Sequence, residues 1–259
     1  MLLQDKVIAI SGVGPGLGAE LARVCLADGA RVALGARTAE RLDALAADVD
    51  PDRERVFVGA FDVRRADDRE RFVAGAVARF GRIDGVVQVA ARQGLIGGFL
   101  EIDEESWRES YDGNLVAPLQ LVRLAALRMR ESGGGSIVLV GSQSARVTTG
   151  PTIVYGASKG ALIPAMYYMT EELGPFGIRV NVVEPTWVWG HRVEAIMRQR
   201  AEANGTTEEL EVDRLVGTWP LRRMPDEHDV ADAIVFLLSD RARSITGQLL
   251  RVNAGQFMG

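Results

Sequence analysis

Short apolar runs alternate with helix-period segments along almost the whole of this chain, and no other feature restricts its fold as much. The runs are Lys6–Ser11, Arg31–Ala36, Val56–Phe61, Asp84–Ala90, Ser136–Gly141, Ile178–Val183 and Gln248–Val252. They do not alternate polar with apolar residues, as strands wetted on one face do. Each therefore reads as a strand buried on both faces. The segments between them predict helices: one through Asp28, one capped by Thr38 and running to about Ala47, one ending at Phe80, and one from Glu104 to about Arg130. Two more follow, the first containing Tyr155 and closed by Gly174-Pro175, the second opened by Pro225-Asp226 and ending at Leu238. Strand and helix in turn imply βαβ units, hence a seven-stranded, mainly parallel sheet in a doubly wound α/β fold with helices on both faces. Residues 186–224 break the alternation. Thr206 and Glu209 predict a capping box for a short helix there. A helical insertion after a strand of an open sheet is well placed to cover its crevice as a substrate lid. The 259 residues fill one domain, 1–259, with no repeat or linker to divide them.

Composition narrows the function. A net charge of −5 without a basic block argues against a nucleic-acid partner, because phosphate binding needs clustered Lys and Arg. The one cysteine, Cys25, permits no intrachain disulfide and fits a reducing, cytoplasmic setting. His191 and His228 stand apart from any Cys/His cluster, so no metal site is expected. No apolar run approaches the ~20 residues of a membrane span, and no signal segment precedes the first strand.

Three places carry chemistry. Gly12, Gly16 and Gly18 follow the first strand and open the first helix, whose N-terminus offers unpaired N–H groups and a positive dipole end to a diphosphate. The second strand ends at Ala36 and Arg37 follows. An acid at that place would hold the ribose hydroxyls of NAD(H). Its absence, with a guanidinium able to pair with a 2′-phosphate, favours NADP(H) over NAD(H). Tyr155 and Lys159 lie one turn apart on one helix face. An ammonium beside a phenol favours the phenolate and makes a tuned proton donor, as carbonyl reduction requires.

Together these features resemble the short-chain dehydrogenase/reductase family, in its branch of single-domain, Rossmann-type enzymes, and the match spans nearly the whole chain. Gly12-x-x-x-Gly16-x-Gly18 is similar to its cofactor turn, and Asn114-Leu115 to the site of its catalytic asparagine. Ser142 precedes Tyr155 by the family's thirteen residues, and Tyr155 and Lys159 complete the tetrad. Arg179-Val180-Asn181, Pro185, Pro220-Leu221-Arg222-Arg223 and Ile245-Thr246-Gly247-Gln248 match later motifs. The chain departs from the pattern at Gln88-Val89-Ala90-Ala91, Thr186, Gly190, Asn253-Ala254-Gly255 and Pro164, which should kink the tetrad helix.

The resemblance implies hydride transfer between NADP(H) and a ketone or secondary alcohol. Tyr155 would give the proton, Lys159 would lower its pKa and bond the nicotinamide ribose, Ser142 would hold the substrate oxygen, and Asn114 would orient a relaying water. Cofactor contacts are implied at Gly12, Pro15, Gly16, Leu17, Gly18, Arg37, Asp62, Val63, Val89, Ala90, Tyr155, Lys159, Pro185 and Val188. The family usually forms homotetramers or homodimers. Trp187, Val188, Trp189, Met197 and Trp219 in the insertion suggest an apolar or cyclic substrate, although packing of a lid accounts for them equally. A 3-oxoacyl carrier-protein reductase and a non-catalytic NADP(H)-binding regulator or scaffold are the alternatives.

Overall fold

The computed structural model describes residues 1–91, 96–148 and 150–258. Its strands are β1 (Val7–Ser11), β2 (Arg31–Ala36), β3 (Val56–Ala60), β4 (Gly85–Gln88), β5 (Gly135–Val140), β6 (Ile178–Pro185) and β7 (Leu249–Val252). They form one parallel sheet in the order β3-β2-β1-β4-β5-β6-β7. The order reverses between β1 and β4. In open α/β sheets the carboxyl ends of the strands at such a switch point border the ligand crevice.

Side chains divide the sheet into two apolar cores. Ile8 and Ile10 of β1 face the first, packed with Leu21 and Ala22 of α1 (Leu17–Ala27), Leu42 of α2 (Ala39–Val49) and Ile234 of α10 (Glu227–Leu238). Ala9, between them, faces the second, with Phe72 of α3 (Ala66–Phe80), Leu121 of α5 (Ala117–Glu131) and Met166 of α7 (Leu162–Leu173). Burying each large side chain this way contributes about 1.5–3 kcal/mol. Both faces are therefore dry, in accord with strands that lack polar alternation.

The helices differ from the sequence expectation in physically readable ways. Thr38 stands at the N-cap of α2, but its side chain accepts no capping bond. The expected single helix from Glu104 is three pieces: α4 (Glu104–Tyr111), a π turn over Asp112–Val116, and α5. The Tyr155 helix is two, α6 (Ile153–Gly160) and α7. Pro164 has no N–H for the carbonyl of Gly160 and its ring crowds that residue, so the break falls where proline geometry puts it.

Residues 186–224 hold two helices, α8 (His191–Asn204) and α9 (Glu208–Val216). The cap of α9 is Thr207, whose side chain accepts from the Leu210 N–H, and not Thr206, whose hydroxyl donates to Glu211 Oε1 at 2.6 Å. Val193, Met197, Val216, Trp219 and Met224 form a third apolar cluster of their own. Trp219 and Met197 are therefore spent on packing, and Trp187 and Trp189, half-buried, pack against the same cluster. The two ends of the insertion meet, since the Trp189 N–H donates to the Pro225 carbonyl at 2.8 Å. No helix among the described residues is long and apolar enough to cross a membrane.

Candidate active site

The glycine turn is shaped by backbone contact. The N–H groups of Gly12 and Val13 both donate to the Gly35 carbonyl, at 2.8 and 3.1 Å, tying the turn to β2. Gly12 has φ +98°, and a Cβ there would lie 2.2 Å from the Ala90 nitrogen. A Cβ on Gly18 would lie 2.4 Å from the Gly12 carbonyl oxygen, so the start of α1 sits directly on the turn. Gly14 is different: nothing lies within 4 Å of its Cβ position, and it faces open space.

That space is a cavity of about 490 Å³ at the switch point. Of the cofactor residues expected from sequence, Gly12, Arg37, Asp62, Val63, Val89 and Ala90 line it. Pro15, Gly16, Leu17, Gly18, Tyr155, Lys159, Pro185 and Val188 lie outside that lining. Arg41, Arg64 and Arg192 line it and were missed. Arg41 follows Arg37 by four residues, a spacing that could have shown it. Arg192 comes from α8 and carried no local signal. Arg64 Nη2 pairs with Asp62 Oδ2 at 2.9 Å, and that hydrogen bond holds the Asp62 carboxyl below the usual range. Open space over the glycine turn, with Arg37, Arg41 and Arg192 around it, makes a donor set that fits the phosphates of a dinucleotide. A second cavity of about 480 Å³ opens beside Met1, Arg31 and Arg55. Those residues stand at the amino ends of the strands, away from the crevice.

Tyr155 and Lys159 project from α6. Lys159 is buried, and its Nζ donates to the Val140 carbonyl at 2.7 Å. Ser142, at the end of β5, accepts a bond from the Ser144 N–H at 3.2 Å, which leaves its own O–H to donate elsewhere. Gly156 sets the distance between the two segments, because a Cβ on it would lie 2.5 Å from the Ser144 carbonyl oxygen. Asn114 sits in the π turn, buried, with its amide donating to Ser158 Oγ at 3.0 Å and Ser110 Oγ at 3.2 Å. Ser158 in turn donates to the Tyr155 carbonyl at 2.8 Å. The Asn114 side chain thus clamps α4 to the helix that carries Tyr155 and Lys159.

The serine loop is also anchored from beneath. Buried Glu184 of β6 faces Arg146 at 3.4 Å and Arg251 at 3.5 Å, and Asn253 donates to Gln143 Oε1 at 3.1 Å. Burial raises the Glu184 carboxyl above its usual range against the pull of the two arginines. Asn181 accepts from the Gln248 N–H and donates to the Ile245 carbonyl, both at 3.0 Å, which joins β6 to the turn before β7. Gly190 packs against Glu227, whose Oε1 would lie 2.4 Å from a Cβ there, so any larger residue at 190 requires that carboxylate to move. Among the described residues no group of acids, histidines and cysteine could hold a metal ion, and burial leaves the Cys25 thiol well above its ordinary pKa.

Burial pushes the Lys159 ammonium down from 10.5 to about 8. The unfolded lysine keeps its proton to about 10.4, so between those pH values the unfolded chain binds more protons. This group's contribution to stability therefore rises with pH from about 8 to about 10. Below pH 8 the charged, buried lysine costs the fold about 3 kcal/mol. Lys159→Met is expected to be about 1–2 kcal/mol more stable than the parent at pH 7, after the Val140 carbonyl loses its donor. The gap should narrow at pH 9.5. Thermal melts at the two pH values check this, and a pH-independent difference would refute it.

The chain has relatives along its whole length. A family model described as enoyl-(acyl carrier protein) reductase matches residues 12–256. The L-rhamnose 1-dehydrogenase (NAD(P)(+)) of Azotobacter vinelandii is 34% identical, over 100% of this chain and 99% of the relative. Human dehydrogenase/reductase SDR family member 4 is 30% identical, over 98% of this chain and 88% of its own length. The solved structure of an actinorhodin polyketide ketoreductase variant with NADPH superposes with a TM-score of 0.88 at 27% identity, covering 98% of each chain.

Proposed function

The chain belongs to the short-chain dehydrogenase/reductase family, and on that premise we propose that it moves a hydride between NADP(H) and a ketone or secondary alcohol, with Tyr155 as acid and base. The observation that carries this is the buried Lys159, one turn after Tyr155, on a helix packed through Gly156 against the loop of Ser142. When bound, the nicotinamide supplies or accepts the hydride. The chain's own groups handle the proton and the charge. The Ser142 O–H donates to the substrate oxygen and stabilises charge developing there. The Tyr155 hydroxyl gives its proton to that oxygen in reduction and takes it back in oxidation. Lys159, whose proton is loosely held near neutral pH, favours the phenolate and resupplies the proton. Asn114 holds α6 in register for both.

Arg37 and Arg41 border the cavity where β2 ends without an acid, which supports NADP(H). The bound NADPH named for the actinorhodin relative points the same way, while the rhamnose relative's name admits either cofactor. In this reading the 186–224 segment is the cover over the substrate side of the crevice, and the faces of Trp187 and Trp189 left outside its apolar cluster favour an apolar or cyclic ketone. The test is turnover on a ketone panel with each cofactor. kcat/KM with NADPH should exceed that with NADH by about tenfold or more, the worth of a charge-assisted bond to the 2′-phosphate. A preference for NADH overturns the cofactor assignment. No turnover with either on any ketone overturns the reaction.

A further inference from the structure

We infer that Arg192 is a phosphate ligand carried by the insertion, which takes the diphosphate of the bound dinucleotide and draws α8 onto the glycine turn. The inference rests on the dinucleotide reading above. Arg192 is the one charged side chain from residues 186–224 that lines the cavity, and it lines it together with Gly14. It is exposed, and among the described residues it makes no ion pair. Arg64 on the same cavity is by contrast already neutralised by Asp62.

Position separates Arg192 from the 2′-phosphate end. Gly190, two residues earlier, packs on Glu227, and the same Glu227 oxygen lies 3.1 Å from the Cβ position of Gly16. The start of α8 is therefore held beside the start of α1, where a helix N-terminus favours a diphosphate. Arg37 and Arg41 belong to the other end, beside Thr38. Glu227 also supplies a reason for the arginine. A carboxylate near Gly16 repels an incoming diphosphate, and a guanidinium on the facing helix offsets that repulsion while binding two oxygens at once.

The experiment titrates NADPH and 2′-AMP into the parent, Arg192→Gln and Arg192→Lys, reading affinity by fluorescence or calorimetry. Hydrogen exchange of residues 191–204 is read with and without NADPH. Arg192→Gln should weaken NADPH about 10–100-fold and leave 2′-AMP unchanged, since that probe has no diphosphate. Arg192→Lys should recover part of the loss. NADPH should protect 191–204 in the parent and not in Arg192→Gln. Equal weakening of NADPH and 2′-AMP would move Arg192 to the 2′-phosphate and overturn the inference, as would unchanged NADPH affinity. A parent chain that binds neither probe sinks the dinucleotide reading itself, and the inference falls with it.

Discussion

Tyr155→Phe is expected to lower kcat for ketone reduction by about 10²–10⁴-fold, the usual cost of a positioned acid. Phenylalanine keeps the ring and removes only the hydroxyl. Lys159 keeps its bond to the Val140 carbonyl, and the bonds from Asn114 and Ser158 that hold α6 end on backbone or hydroxyl atoms outside the Tyr155 ring. The fold and NADPH affinity should therefore remain. The rate loss should be the same at saturating and limiting ketone, because the missing interaction belongs to the transition state. Near-parental turnover with NADPH still bound would show that the proton comes from elsewhere.

The second large effect is expected at Gly12, with Gly14 as its control. In Gly12→Ala the new methyl meets the Ala90 backbone at 2.2 Å while φ stays at +98°. Strain of that backbone costs about 1–3 kcal/mol and overpacking about 1–3 kcal/mol more. The variant should unfold several degrees earlier, and whatever folds should bind NADPH poorly because the turn and the 88–91 segment have moved apart. Gly14→Ala adds a methyl into open space. Its stability should stay within about 0.5 kcal/mol of the parent, while NADPH affinity falls. Chemical denaturation and NADPH titration of both variants separate the two roles. Equal stability of the pair would mean that Gly12 is not pressed against Ala90.

What could be read from the sequence was local. The strands, the glycine turn, Ala36-Arg37 and the Tyr155-Lys159 pair each declare themselves within a few residues. Pro164 announced its own break because its cause, a missing N–H, needs no tertiary context. The π turn around Asn114 did not show, since nothing in Asp112–Val116 forbids an ordinary helix. What lies opposite it is the Ser110–Ser158 pair, and Ser158 is distant in sequence. Thr206 and Thr207 are equally good caps on paper, and the choice fell to the side chain that Glu211 did not already engage. Arg192 and Glu227 were silent for the same reason. Glu227 meets the start of α1, and Arg192 lines the cavity over the glycine turn, only because two distant helices begin beside it.

The closure of the insertion at its base has a practical meaning. Trp189 and Pro225 are hydrogen-bonded neighbours, and the residues between them pack around an apolar cluster of their own. The stretch is thus a cassette with two seams, one where Trp189 and Gly190 meet Pro225 and Glu227, the other where the Leu221 N–H donates to the Ala254 carbonyl at 3.2 Å and Pro220 packs on Gly255. Its two ends are already together, so exchanging it for one of different length adds little loop-closure entropy, only about 0.6 kcal/mol per doubling. A laboratory seeking new ketone preferences can graft residues 193–224 from relatives as a block, matched to Ala254 and Gly255, and leave Gly190, Arg192 and the proton-handling machinery of α6 untouched.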